Sequence, residues 1–291
     1  MLESLGNTVY WRSPIPWYLY NGFLRPTCLP EAAPMISEEQ ATAAVKLTGA
    51  PFARWESPIE KSASPTWWQT NRVGPYRMSD LSANTRSKIR RGRKRLEARR
   101  PTLDEVLNQG NRLFRAAASR YGATGRVPES NYPARLVKTA QNHSENFDLF
   151  AVFKKGQMVA LSENHIQSDG VLFESIWLEP EALRDYSSYV LFDAMLEHYL
   201  NLPGKYYVSD GVRTLHHKTG IHGFLIEKFG FKRMPCRLFV VYTSWFSILV
   251  QLAYPIRPAF DKLAEIIDLS VLMKISAILH QEKIRRNISS Q

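Results

Sequence analysis

Two carboxylates sit where predicted strands meet predicted turns. Glu174 lies inside Val171–Leu178 (VLFESIWL), and period-2 alternation puts it on one face with Leu172 and Ile176. A carboxylate there either points into a cleft, with a pKa suited to proton transfer, or is exposed on an edge. Asp210 precedes Gly211 directly after a predicted strand. It is a second base candidate, or the cap of an Asx turn. His216 and His217 open the next predicted helix, and His222 lies in its middle. These are acid–base candidates. Their spacings of five and six do not share a helix face and form no HExxH motif, so no metal site is predicted. Cys28 and Cys236 lack partner spacing and lie in no nucleophile motif, which argues for a reducing compartment and against a disulfide framework.

The third feature is charge. The chain of 291 residues carries a formal charge of +11, and most of it is local. Between Leu81 and Arg100 stand Arg86, Lys88, Arg90, Arg91, Arg93, Lys94, Arg95, Arg99 and Arg100 against the single acid Glu97. Such a segment attracts a polyanion: nucleic acid, lipid headgroups or a phosphate-bearing small molecule. The alternative is a solvated helix face with no partner. Arg86, Arg90 and Lys94 are four apart and share a face. No zinc-finger, RNP-type or basic-zipper pattern is present, and no aromatics interleave to stack single strands.

The elements that must position these groups can be read coarsely. Hydrophobic residues at 44% exclude a disordered chain. Residues 1 to about 35 are rich in Pro and aromatics and read as an irregular arm. Ser37 and Gln40 mark a helix start, with Gly49 its stop. Ser82 caps a basic helix over about 83–98, which Pro101 ends. A second helix runs from Leu103 to about Tyr121. From Phe147 the pattern becomes three strands, Phe147–Phe153, Met158–Ile166 and Val171–Leu178. A helix from Ser187, a strand over Lys205–Ser209, a helix over Lys218–Lys228 and a strand over Arg237–Tyr242 follow. This is a mixed α/β (α+β) order. The 19 uncharged residues from Leu238 to Ile256 approach bilayer length. Their β-type start and Pro255 argue against a span. The tail beyond is helical and amphipathic. It either packs on the body or lies on a membrane surface. The N-terminus has no basic or apolar leader pattern.

Two passages resemble the GNAT acyltransferase fold, in particular its FemAB-like branch. Leu81 to Gly92 (LSANTRSKIRRG) is similar to the branch's "LS…R..IRR" segment. Ser209-Asp210-Gly211, then Phe224–Gly230 (FLIEKFG), is similar to its closing acidic-Gly turn and "FK..FG" helix. The resemblance spans roughly residues 76–242. It implies a GNAT-like mixed sheet flanked by helices in residues 81–242, an N-terminal arm and partial GNAT-like half in 1–80, and a helical tail in 243–291. It further implies a V-shaped gap between the strands of 171–178 and 205–209 that takes the pantetheine arm of acyl-CoA.

The following helix start would then hold the pyrophosphate, since a helix N-terminus offers unpaired donors and a positive dipole end. Arg184, Ser187, Ser188 and Tyr189 are the matching positions, with Ser187 where the family has Gly and Tyr189 where it has a small residue. The donor therefore stays open between acyl-CoA and aminoacyl-tRNA. The implied activity is direct N-acyl transfer to an amine of a small or cell-envelope precursor. Glu174 or Asp210 would act as base and His217 as acid, with Arg86, Arg90, Arg91 and Lys94 clamping substrate phosphates. The rival reading is a non-catalytic GNAT-shaped scaffold that binds nucleic acid or a membrane surface through residues 82–100. The expected location is the cytoplasm, with the tail's alternative a peripheral place on the inner membrane surface.

Overall fold

The caps read from sequence set the helix starts. The computed structural model describes residues 1–11, 15–28, 36–60, 63, 66–120, 127–167, 169–213, 215, 220–266 and 270–289. Helix α1 (Glu38–Thr48) opens on a capping box in which Ser37 and Gln40 each accept the other's backbone N–H. It ends at Gly49, whose φ of 69° suits glycine. Helix α2 (Ala83–Arg93) starts at Ser82, whose side chain accepts the N–H of Thr85. It is shorter than the expected 83–98. Glu97–Arg99 instead runs extended and pairs along Ala151–Phe153. From there Arg99 makes a two-pronged bond to Glu105, and Arg100 one to Asp148. Helix α3 (Leu103–Ser119) starts on a second capping box, Thr102 with Glu105.

The strands form two sheets. The small one joins β1 (Val9–Tyr10), β2 (Trp17–Tyr20), β3 (Phe23–Pro26), β4 (Phe52–Glu56) and β12 (Leu238–Tyr242), in that order. The large one contains β5 (Trp68–Val73), β6 (Glu97–Arg99), β7 (Phe147–Lys154), β8 (Gln157–Ile166), β9 (Gly170–Leu178), β10 (Tyr207–Val212) and β11 (Lys232–Pro235). Its order is β11-β5-β10-β9-β8-β7-β6. This mixed α/β, GNAT-like fold is the expected class. Two strand assignments differ from the sequence reading. β5 enters the large sheet between β10 and β11, antiparallel to both. β12 pairs with β4 instead of closing the large sheet. The N-terminal segment, read as irregular, holds a β2–β3 hairpin that turns at Asn21-Gly22, with φ of 50° and 90°.

Helices cover both faces of the large sheet. Helix α5 (Ser187–Tyr199) and helix α6 (Ile221–Phe229) bury Val190, Phe192, Leu225 and Phe229 against Val171, Phe173 and Val208. On the other face α3 and helix α4 (Tyr132–Asn142) bury Leu113, Phe114 and Leu136 against Phe147, Leu149 and Leu161. Helices α7 (Ser244–Ala253), α8 (Arg257–Ile266) and α9 (Ser270–Ser289) make the tail. Phe246, Ile278 and Ile284 pack with Phe23, Phe52 and Trp67, so the tail rests on the body.

The basic helix lies hard against α5. A Cβ on Gly92 would meet Val190 Cγ2 at 2.5 Å, with Asp185 O and Tyr186 Cβ at 3.3 Å. Gly92→Val should therefore lower stability by about 1–3 kcal/mol in urea unfolding, because overpacking here outweighs the helix-propensity gain.

Candidate active site

The site begins where two parallel strands part. β9 and β10 pair only at Gly170–Tyr207, Val171–Val208 and Leu172–Ser209. Beyond that point β10 shifts register against β5, between Ser209 and Val212, and Gly211 takes a φ of 78°. β9 has its own irregularity against β8 between Glu163 and Asn164. The two strands leave each other with a carboxylate on each lip: Glu174 two residues past the last pair, Asp210 one residue past it.

Helix α5 follows β9 through a single 3-10 turn, and its tip is uncapped. Its first N–H groups have no acceptor within the helix, no side chain caps them, and no acid stands in the first turn. Tyr186 precedes the helix in the left-handed region, φ 67°, an uncommon state for a tyrosine. Arg91 lies 4.9 Å over its ring. Lys88 Nζ is 3.3 Å from the Tyr189 hydroxyl. The nearby acid, Asp185, is engaged by Lys154 at 2.5 Å and Arg95 at 2.8 Å, which hold its carboxyl below the usual range. Ser187 is fully buried with its Oγ unpartnered.

The basic segment divides into two sets. Arg93 binds Asp193 at 2.5 Å and Glu197 at 2.9 Å, and Arg95, Arg99 and Arg100 also face carboxylates. Those four are structural ties. Arg86 donates to the carbonyl oxygens of Ser79 and Leu81. Arg90, Arg91 and Lys94 are exposed and have no carboxylate partner among the described residues. Arg184 is exposed in a single 3-10 turn over Glu181–Asp185. Ser188 and Tyr189 are buried, with Tyr189 packed on Phe224 at 4.9 Å between ring centres.

Five proton-handling groups lie on β8, β9, β10 and α6. Burial raises the Asp210 pKa well above the usual carboxylate range. His222 Nε2 lies 3.2 Å from Asp210 Oδ2, and burial lowers its pKa. Low dielectric thus favours the uncharged form of each group. Glu174 is part-exposed, 4.0 Å from His165 Nδ1, and burial keeps that imidazole neutral as well. Glu163 is the third carboxyl, buried on β8. It accepts from Tyr132 Oη at 2.8 Å and Trp177 Nε1 at 2.7 Å, and burial raises its pKa to about 7.

Of the sequence candidates, Glu174 and Asp210 flank the same gap, and Ser187 begins the adjacent helix. His217 lies outside the described residues. His222 is the histidine found beside Asp210. They stand twelve positions apart in the chain, and no local pattern announces their contact. Glu163 was missed because a lone Glu in an alternating strand reads as an outward-facing residue.

Glu163 yields a pH prediction. Its folded pKa exceeds its unfolded value, so its proton stabilises the fold at low pH. That contribution is lost as pH rises from about 4.5 to about 7. In that window wild type should lose about 1.4 kcal/mol per pH unit relative to Glu163→Gln. Urea unfolding of both proteins at pH 5, 6 and 7 measures the difference.

Comparison with known proteins agrees with this geometry. An acetyltransferase (GNAT) domain model matches residues 83–213. The C-terminal domain of a putative lysylphosphatidylglycerol synthetase from Agrobacterium fabrum shares the fold. It has a TM-score of 0.56 at 12% identity, over 86% of this chain and 89% of that one. FemX aligns at a TM-score of 0.49 and 11% identity, over 75% and 72% of the two chains. A GCN5-related N-acetyltransferase from Kribbella flavida aligns at 0.43 and 9% identity, over 84% and 92%. No curated protein sequence matches the chain. Residues 83–213 are thus similar to a GNAT acetyltransferase domain, and the chain shares that fold.

Proposed function

We propose that the protein is an N-acyltransferase. It moves an acyl group from acyl-CoA, or an aminoacyl group from aminoacyl-tRNA, directly to an amine of a small or cell-envelope precursor. One observation carries this reading: β9 and β10 separate after three pairs, with Glu174 and Asp210 on opposite lips and an uncapped helix start beside them.

The donor's phosphates meet the N–H groups of α5, with Lys88 and Arg91 adding charge. The acceptor amine attacks the donor carbonyl. A C–N bond forms and the bond to the leaving sulfur or ester oxygen breaks. Glu174, the more exposed carboxylate, takes the amine proton. The Asp210–His222 pair supplies a proton to the leaving atom. His222 thus fills the acid role that the sequence reading gave to His217. Cys236 is buried and neither cysteine lies in a nucleophile motif, so no covalent intermediate is invoked.

Saturating acyl-CoA should raise the melting temperature. If neither acyl-CoA nor charged tRNA shifts it, the transferase reading loses its basis. Asp210→Asn should lower kcat about 10²–10⁴-fold with a small change in donor KM. Lys88→Gln with Arg91→Gln should raise donor KM about tenfold and leave kcat nearly intact.

The tail supports a membrane-surface contact. Trp245, Ile248, Leu249, Leu252 and Ile256 fall on one helical face and are 53–70% exposed. No charge interrupts residues 238–256, and Arg257 follows. Roughly 600 Å² of bare apolar surface is at the upper end for a monomer, and below the ~800 Å² per partner of a standard dimer. No helix among the described residues is long and apolar enough to cross a membrane. Flotation with anionic phospholipid vesicles should carry wild type upward and leave Leu252→Glu behind. A concentration-dependent dimer without vesicle binding would contradict this assignment.

A further inference from the structure

The small sheet presents an unusual face to β9. In register, Tyr18 of β2 pairs with Arg25 of β3, and Leu24 pairs with Ala53 of β4. Alternation then puts Tyr18, Arg25, Arg54 and Glu56 on one face, opposite the Leu24–Ala53 core. Arg25 and Arg54 share a single acid. Arg25 Nη2 is 3.8 Å from Glu56 Oε2, and Arg54 Nε is 3.6 Å from Glu56 Oε1. Both contacts are longer than a hydrogen bond.

The two side chains are only 20% and 8% exposed, and their Nε atoms are enclosed with no partner. A guanidinium carries five donors, and burying it without hydrogen bonds is costly. Ring stacking offsets part of this. Arg54 lies 4.8 Å over Phe23 and 5.6 Å over Trp67, and Arg25 lies 5.4 Å over Tyr20. Rings supply no acceptor in the guanidinium plane, so the donors stay unused.

This face also touches the transfer site electrostatically. Burial disfavours the Arg25 charge, yet Tyr18, Glu56 and Glu174 raise its pKa overall. Glu174 likewise raises the pKa of Tyr18, which burial already holds well above its usual value. Glu174 on the lip of the β9–β10 gap is therefore within electrostatic reach of Arg25. Beyond Glu174 lies His165, whose buried Nε2 is also unpartnered.

We infer that Arg25 and Arg54 form the seat for an oxyanion carried by the acceptor, a carboxylate or a phosphate, so that the acceptor is an anionic amine. The idea rests on the transferase reading for the word acceptor, and on the small sheet alone for the anion. The seated oxyanion accepts the idle guanidinium donors while the amine turns toward Glu174. The N-terminal segment thereby supplies acceptor recognition to chemistry carried out on the large sheet.

The test uses the full chain and two probes, inorganic phosphate and acetate, against chloride at constant ionic strength. Wild type should show a saturable rise in melting temperature with phosphate or with acetate, and the stronger probe identifies the acid. Arg25→Gln should weaken that response about tenfold, and should do so equally in a Lys88→Gln, Arg91→Gln background, where phosphate held at the α5 tip no longer contributes. Arginine labelling of wild type by phenylglyoxal, mapped by mass spectrometry, covers the case in which Arg25→Gln does not fold. The probe anion should protect Arg25. Unchanged labelling of Arg25 in the presence of either anion, or an undiminished response in folded Arg25→Gln, overturns the proposal. Anion protection at Arg25 without a shift by acyl-CoA or by charged tRNA would keep the oxyanion seat and remove the transferase reading. An acyl-CoA shift without anion protection would do the reverse.

Discussion

The architecture depends on a broken ladder. Parallel strands normally continue their hydrogen bonds along their shared length, and unpaired backbone groups inside a protein are costly. β9 and β10 stop after Leu172 and Ser209. Two devices hold them apart. The Asp210-Gly211 irregularity sends β10 toward β5, with Ser209 Oγ accepting the N–H of Gly211 at 3.1 Å. On the other side β9 stays with β8 through Leu178. Each strand keeps a partner on its outer edge, and past Leu172 and Ser209 the two no longer pair with each other.

The same parting explains the proton-handling groups. A carboxylate in a continuous ladder would have been a poor choice, because burial without partners pushes it to neutrality. At the gap that push becomes useful. Burial pushes Asp210 and His222, 3.2 Å apart, toward their uncharged forms, while Glu174 keeps contact with solvent. Two carboxyls at one opening therefore acquire different proton states from their surroundings alone.

The basic helix has two duties, which the sequence shows only as a single run of charge. Arg93 secures Asp193, which also accepts from Tyr76 at 2.5 Å, and this joins α2 to α5 at the depth Gly92 permits. Lys88 and Arg91 then come to rest at the α5 tip. Packing sets their position, and the paired arginines set the packing. A charge run can serve as structural tie and as ligand contact within four residues of each other.

Much of this was legible in the sequence because it was local. Ser37, Ser82 and Thr102 cap their helices through atoms three residues away, and the alternation of residues 147–178 defines β7, β8 and β9. The Asn21-Gly22 hairpin was legible too, since that pair favours positive φ, but nearby prolines masked it. Tertiary structure alone decided the rest. β5, polar in sequence as Gln69-Thr70-Asn71, becomes a strand because β10 and β11 satisfy its backbone from both sides. Asp210 meets His222, and Arg25 and Arg54 share Glu56, only once distant segments are packed together. Their proton states and unmet bonds follow from burial, and burial is a property of the assembled sheets.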